Sequence, residues 1–293
     1  MATRRALLAS AALSPALLAR ATAQEATPVA PIQERDVVYG EVAGEELLLD
    51  DWRPPPRELP RPAMVVIHGG GWTEGFGDRT DFVLPSFELA KAGYVVFNIA
   101  YRLLPEHPWP AQLDDVQRAV RWIRANAATY GVDPQRIGSY GHSSGGHLAA
   151  FLGVRDTRDN SDPALAAFSS RVACVVDLAG DVDLNIPYGD SESNALIIRF
   201  LGGTADEVPD AYRDASPISW VGEDSAPFLI LHATHDEWVP VAHARGMEAA
   251  LHEAGVTVVY YEDPEAVHIT SLTWQYVAPW VLTFCGVHLD PEH

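Results

Sequence analysis

The stretch Gly141-His142-Ser143-Ser144-Gly145-Gly146 follows the apolar run Arg136 to Tyr140 and leads at once into Leu148-Ala149-Ala150. A buried strand that passes through Gly-x-Ser-x-Gly into a helix makes a sharp turn with a serine at its tip. The glycines belong there because so tight a bend presses backbone on backbone, leaving no room for a side chain two residues either side of the serine. Ser143 alone meets that spacing. Were Ser144 the tip residue, the flanking positions would be His142 and Gly146, and the imidazole would fill the space the turn needs. A Gly-Ser loop without chemistry is the bland alternative, and the placement between strand and helix argues against it.

Outward from this turn the chain repeats one pattern in type but not in sequence. Short apolar runs suited to strands buried on both faces are Ala63 to Ile67, Tyr94 to Ile99, Arg136 to Tyr140, Val172 to Leu178, Phe228 to Leu231 and Val256 to Tyr261. Val37 to Val42 and Glu46 to Trp52 read as an antiparallel hairpin turning at Ala43-Gly44. Segments of helical period lie between: Pro110 to Tyr130, with Leu113, Val116, Val120 and Ile123 at three- and four-residue steps and Gly131 closing it, then Ser144 to Val154, Val241 to Ala254 and Ile269 to Phe284. Strands alternating with helices predict an α/β fold, a mostly parallel central sheet with helices on both faces. Ligands of such sheets bind beyond the carboxyl ends of the strands, so chemistry-bearing residues should appear just after strands.

They do. His68-Gly69-Gly70-Gly71-Trp72 follows the strand ending at Ile67, and its glycines let bare amides approach an oxyanion; Gly70 and Gly71 are the candidate donors, with the Ser144 amide at a helix start as the third. No Gly-Lys-Ser/Thr and no Gly-x-Gly-x-x-Gly accompanies the loop, which counts against a phosphate cradle. A serine needs a base, and the base an orienting acid. After Phe228 to Leu231 comes His232-Ala233-Thr234-His235-Asp236-Glu237-Trp238, where Asp236 is the candidate acid, Glu237 the runner-up, and a helix-capping role the plain alternative. After Val256 to Tyr261 comes His268, the candidate base. His142 and His147 flank the serine and could line a pocket, whereas His68 braces the glycine loop. His232, His235 and Asp236 invite a zinc reading that no His-Glu-x-x-His or paired-cysteine spacing supports, so neither metal nor cofactor is implied.

Composition sets the limits. The 293 residues are 47% apolar and 20% charged, with a formal net charge of −20, as suits one globular domain and a surface that repels nucleic acid and anionic membranes. Residues 1–23 read as an export signal: Arg4 and Arg5, the apolar run Ala6 to Ala19, then Ala21-Thr22-Ala23. That run is too short for a bilayer, which takes roughly 20 apolar residues, so no integral membrane segment is expected in the mature chain. The paired arginines resemble a twin-arginine signal, an ordinary secretory signal being the alternative. Both predict a periplasmic or secreted protein, with residues 24–35 as a tether and 36–293 as the folded domain. Cys174 and Cys285 could pair or remain buried thiols.

Taken together, these motifs resemble the esterase and lipase branch of the α/β-hydrolase superfamily, particularly small bacterial carboxylesterases related to the hormone-sensitive-lipase group and to acetyl and feruloyl esterases. Further matching stretches are Tyr101-Arg102-Leu103-Leu104-Pro105-Glu106-His107, Asp133-Pro134-Gln135-Arg136-Ile137, Phe200-Leu201-Gly202-Gly203, Ala215-Ser216-Pro217 and Asp236 to Pro240. The resemblance implies a triad of Ser143, Asp236 and His268 with donors from Gly70, Gly71 and Ser144. The chain departs from it at Ala233, at Ser144 and at Glu265-Ala266-Val267 before His268. Residues 181–220 lie between two strands at the end of the sheet where the site must be, and read as a cap or lid, or else as a surface crossover. Trp72, His142, Tyr188 and Trp238 are candidates for lining the substrate pocket, with plain packing as the alternative. The expected activity is hydrolysis of small or short-acyl esters, including acetylated or feruloylated plant carbohydrate. Its rivals are an amidohydrolase such as a formamidase, and an inactive binding module.

Overall fold

The computed structural model describes residues 30–268 and 273–289. The stretch read as an export signal and the first four residues of the last predicted helix therefore lie outside the described residues. The described chain runs β1 (Ile32–Val42), β2 (Glu45–Arg53), β3 (Arg61–Ile67), α1 (Val83–Lys91), β4 (Val95–Ile99), α2 (Ala111–Ala125), α3 (Ala127–Tyr130), β5 (Val132–His142), α4 (Ser144–Val154) and β6 (Cys174–Leu178). It continues through α5 (Ser191–Leu201), α6 (Pro209–Asp214), β7 (Phe228–Ala233), α7 (Ala242–Glu253), β8 (Val258–Asp263) and α8 (Trp274–Leu289).

Among the described residues the strands form a single sheet of eight in the order β1-β2-β4-β3-β5-β6-β7-β8. β2 pairs antiparallel with both β1 and β4, and every pairing from β4 through β3 to β8 is parallel. The two-residue period of a strand sorts its side chains between the faces. On β3, Ala63, Val65 and Ile67 join a core with Leu113, Val116 and Val120 of α2 and Leu148 and Phe151 of α4. Met64 and Val66 point the other way, into a core with Leu89 of α1 and Val277, Val281 and Phe284 of α8. Burial on both faces is why these strands carry continuous apolar runs and no alternation. Cys174 and Cys285 are buried free thiols in the second core. Among the described residues no helix is long and apolar enough to cross a membrane.

The differences from the sequence reading have local causes. β1 starts at Ile32 and not Val37, so residues 32–35 belong to the sheet and not to a tether. A bulge at Asp36, whose φ is 57° and whose amide donates to Asp50 Oδ1 at 3.0 Å, breaks the alternation that would have betrayed the strand. The long helix ends at Ala125; Asn126 leaves the helical backbone (φ −104°, ψ 12°), α3 makes one further turn, and Gly131 closes it at φ 64°. β5 begins at Val132, four residues early, because Arg61 of β3 pairs with it. The helices α1, α5 and α6 form where no helical period was read in the sequence.

Asp177 lies on the central strand β6, buried on both faces, with its Oδ1 accepting the Gly180 amide at 2.9 Å, and burial pushes its carboxyl up to about 7. The folded state then holds a proton that the unfolded chain releases near pH 4, so this group costs stability as pH rises from there through 7. Asp177→Asn removes that cost. Calorimetric Tm values should show the variant gaining on the wild type between pH 4 and 7, with a constant difference above 8; a wild-type advantage growing over that window would contradict the assignment.

Candidate active site

The turn at Ser143 has the strained backbone that its glycines foretell. Ser143 sits at φ 54°, ψ −127°, a conformation that L residues adopt at a cost of about 1–3 kcal/mol. Its amide donates to the Leu178 carbonyl on β6 at 2.8 Å, and its carbonyl accepts the His147 amide of α4 at 3.0 Å, so both sides of the bend are tied down. A Cβ on Gly141 would fall on the carbonyl of Gly145, and one on Gly145 would fall on the carbonyls of Ile67 and His68. The two glycines allow the strand, the helix and the end of β3 to meet.

The glycine loop after β3 runs directly against this turn. A Cβ on Gly69 would stand 3.4 Å from Ser143 Cβ and 2.9 Å from the His142 carbonyl. Gly70 (φ 111°), Gly71 (φ 58°) and Trp72 (φ 55°) follow in the left-handed region. Among the described residues the amides of Gly70, Gly71 and Ser144 donate to nothing. His68 braces the loop as expected: it is buried, its ring stacks on Tyr101 at 4.3 Å, its Nδ1 lies 2.7 Å from the Gly69 carbonyl, and the Tyr101 hydroxyl donates to its carbonyl at 2.8 Å.

Asp236 and His268 reach the same place from the ends of β7 and β8. Asp236 Oδ2 lies 2.6 Å from His268 Nδ1, while Asp236 Oδ1 accepts the amides of Trp238 at 2.9 Å and Val239 at 2.8 Å. Burial would raise this carboxyl, but the hydrogen bond to His268, the charge of His268 and the two amides outweigh it and hold the carboxyl below its usual value. With Nδ1 engaged by a carboxylate, Nε2 is the ring atom free to take a proton. Glu237, the runner-up, meets His268 through the backbone, its Oε2 accepting the amide at 3.3 Å. The His268 ring stands 4.7 Å from that of His142, the residue before Ser143, which brings the imidazole over the turn.

The remaining candidates separate by burial. His142 is half-buried, and among the described residues its Nε2 has no partner; burial first, then the neighbouring His268, push it down to about 3, so it stays neutral beside the base. Trp72 is only 1% exposed, stacked on Phe200 at 4.2 Å and edge-on to His147 at 5.0 Å. It packs α5 onto the glycine loop, so the pocket role expected of it gives way to packing. Trp238 is the opposite case, 54% exposed and stacked parallel to His268 at 6.2 Å between centroids. Tyr188 is buried, with its hydroxyl on Asp181 at 2.7 Å. His232 Nε2 binds the Val239 carbonyl at 2.9 Å and lies 3.4 Å from Asp236 Oδ2; among the described residues no set of three His, Cys, Asp or Glu side chains is arranged to hold a metal.

Within the segment 181–220, α5 packs on the glycine loop. A Cβ on Gly71 would lie 2.8 Å from a Leu196 methyl of α5, so this helix roofs the glycine loop.

A glycine loop facing a strained serine, with a carboxylate–imidazole pair delivered from the next strands, defines the α/β-hydrolase fold class. The chain belongs to the BD-FAE family, whose model matches residues 49–251. It is 34% identical over 264 residues to esterase LipQ of Mycobacterium tuberculosis, covering 87% of this chain but 62% of that protein. Among solved structures, a truncated carbohydrate esterase from gut microbiota superposes with a TM-score of 0.77 at 27% identity, covering 90% of this chain and 98% of that one. Thermogutta terrifontis esterase 2 phosphonylated by sarin superposes with a TM-score of 0.77 at 25% identity, covering 90% of this chain and 98% of the other.

The glycine contacts make a sharp expectation for stability. The methyl of Gly145→Ala would meet backbone that cannot yield, and overpacking of this kind costs about 3 kcal/mol. Gly189→Ala, with nothing within 4 Å of the added carbon, is the control. Chemical denaturation should show a lower midpoint for the first only.

Proposed function

We propose that this protein is a serine carboxylesterase acting on small or short-acyl esters. The observation that carries the reading is the 2.6 Å contact between Asp236 Oδ2 and His268 Nδ1, beside a serine held at the tip of a strained turn. In this reading His268 Nε2 takes the Ser143 proton as Oγ attacks the ester carbonyl, and Asp236 fixes the tautomer and steadies the imidazolium. The amides of Gly70, Gly71 and Ser144 hold the oxyanion, each donor stabilising the transition state by ~3–4 kcal/mol. Collapse sends the proton from His268 to the leaving alcohol, and water repeats the cycle on the acyl-enzyme. No cofactor enters these steps. The names of the relatives, a carbohydrate esterase among them, support an ester as substrate.

Export is part of the proposal, supported by the composition of residues 1–23. Cell fractionation of the tagged full chain should find it outside the cytoplasm, and cytoplasmic retention would remove this element without touching the chemistry.

On p-nitrophenyl acetate, Ser143→Ala should fall to the background rate and Asp236→Asn should lose about 10⁴-fold in kcat. Glu237→Gln, which keeps an oxygen for the His268 amide, should stay within about tenfold. An organophosphate should label wild type once and Ser143→Ala not at all, as read by intact mass. Equal turnover of wild type and Ser143→Ala would reduce the protein to a binding module. Turnover of N-formyl-kynurenine with none of the ester would make it an amidohydrolase.

A further inference from the structure

The loop that carries Asp236 is tied back to its own strand. The chain leaves β7 at Ala233 and turns at once, the Asp236 amide donating to the Ala233 carbonyl at 3.3 Å. Asp236 Oδ1 accepts the Val239 amide at 2.8 Å, the Val239 carbonyl lies 2.9 Å from His232 Nε2, and that same nitrogen stands 3.4 Å from Asp236 Oδ2. The contacts close a ring that runs from the carboxylate through the loop to the imidazole and back to the carboxylate. Oδ2 is also the oxygen that meets His268 Nδ1 at 2.6 Å, so the ring fixes which edge of Asp236 faces the base.

The tautomer of His232 follows from its partner. A carbonyl oxygen only accepts, so Nε2 carries the hydrogen and donates it to Val239. Nδ1 keeps its lone pair, and among the described residues it is buried without a partner. Charging the ring would place an unpaired N–H there, and burial, the largest influence, holds the imidazole below its ordinary pKa. The side chain is 1% exposed, and its backbone stands in register with Glu262 of β8, the strand that leads to His268. An apolar residue would fill this space without leaving a nitrogen unsatisfied. What accounts for a histidine here is the Nε2–H, which holds Val239 and faces Asp236.

We infer that His232 is a positioning residue for the triad acid: its Nε2–H anchors the Val239 carbonyl beside the Asp236 carboxylate and keeps Oδ2 turned to His268. It acts through Asp236 and needs no contact with substrate. The inference rests on the serine esterase reading above and adds a fourth side chain to its machinery.

Three substitutions separate this role from packing. His232→Leu fills the space without a donor, His232→Asn carries an amide that stops at the level of Nδ1, and His232→Gln reaches the position of Nε2. On p-nitrophenyl acetate the first two should lose about ten- to a hundredfold in kcat with KM within about twofold, and His232→Gln should recover most of the loss. In an Asp236→Asn background His232→Leu should change kcat by less than about twofold, because residues that act as one unit are not additive. Proton NMR reads the same role without turnover. The Nδ1–H of His268, held on a carboxylate, should resonate far downfield in wild type and in Ser143→Ala, and should move upfield or broaden away in His232→Leu and His232→Asn. Wild-type kcat in His232→Leu overturns the proposal, as do equal losses with and without Asp236→Asn, an unmoved resonance, or His232→Asn outperforming His232→Gln. Should His232→Leu fail to fold, the order of the other two variants decides. Wild type leaving p-nitrophenyl acetate at the background rate would instead mark failure of the esterase reading, and the resonance would still decide whether His232 positions Asp236.

Discussion

The structure depends on one backbone strain. Ser143 occupies a conformation that no L residue prefers, and the rest of the molecule holds it there: β6 accepts its amide, α4 donates to its carbonyl, and the end of β3 presses against Gly145. A bend this tight works only if strand, helix and glycine loop are all in place at once. The consequence is that the turn forms only with the folded sheet. The apolar burial of β3, β5 and β6 on both faces supplies the stabilisation that offsets the strain.

Around that turn the electrostatics are sorted by burial. Asp236 keeps its charge inside the protein because two amides and an imidazole are aimed at it. The histidines packed nearby take the opposite course. His142 and His243 are pushed down to about 3 and His147 to about 4, in each case chiefly by burial, so they stay neutral across the ordinary pH range. His268 thus has a fixed anion on one side of its ring and a neutral ring on the other. Asp181 is a carboxyl that burial has raised, with the Tyr188 hydroxyl and its own amide as donors.

α5 ties the glycine loop to the segment that follows β6. α5 touches Gly71 through Leu196 and grips Trp72 through Phe200, so this helix braces the glycine loop. This is why Trp72, adjacent in sequence to the candidate donors, serves packing, whereas Trp238, two residues past the acid, lies open beside the imidazole.

Local sequence was enough for the α/β alternation, for the turn at Ser143 and for the positions of Asp236 and His268. Each rests on a constraint that acts within a few residues: the apolar run of a doubly buried strand, the glycine that a tight bend demands, the loop that must follow a strand. Strand ends were less legible, because β1 before the bulge at Asp36 and β5 before Arg136 are set by partners elsewhere in the sheet. Only the tertiary structure shows that, of the adjacent carboxylates, Asp236 meets the His268 ring and Glu237 its backbone amide. It alone turned Trp72 inward, onto Phe200. Those outcomes turn on distances between residues far apart in the chain, and no local pattern records such distances.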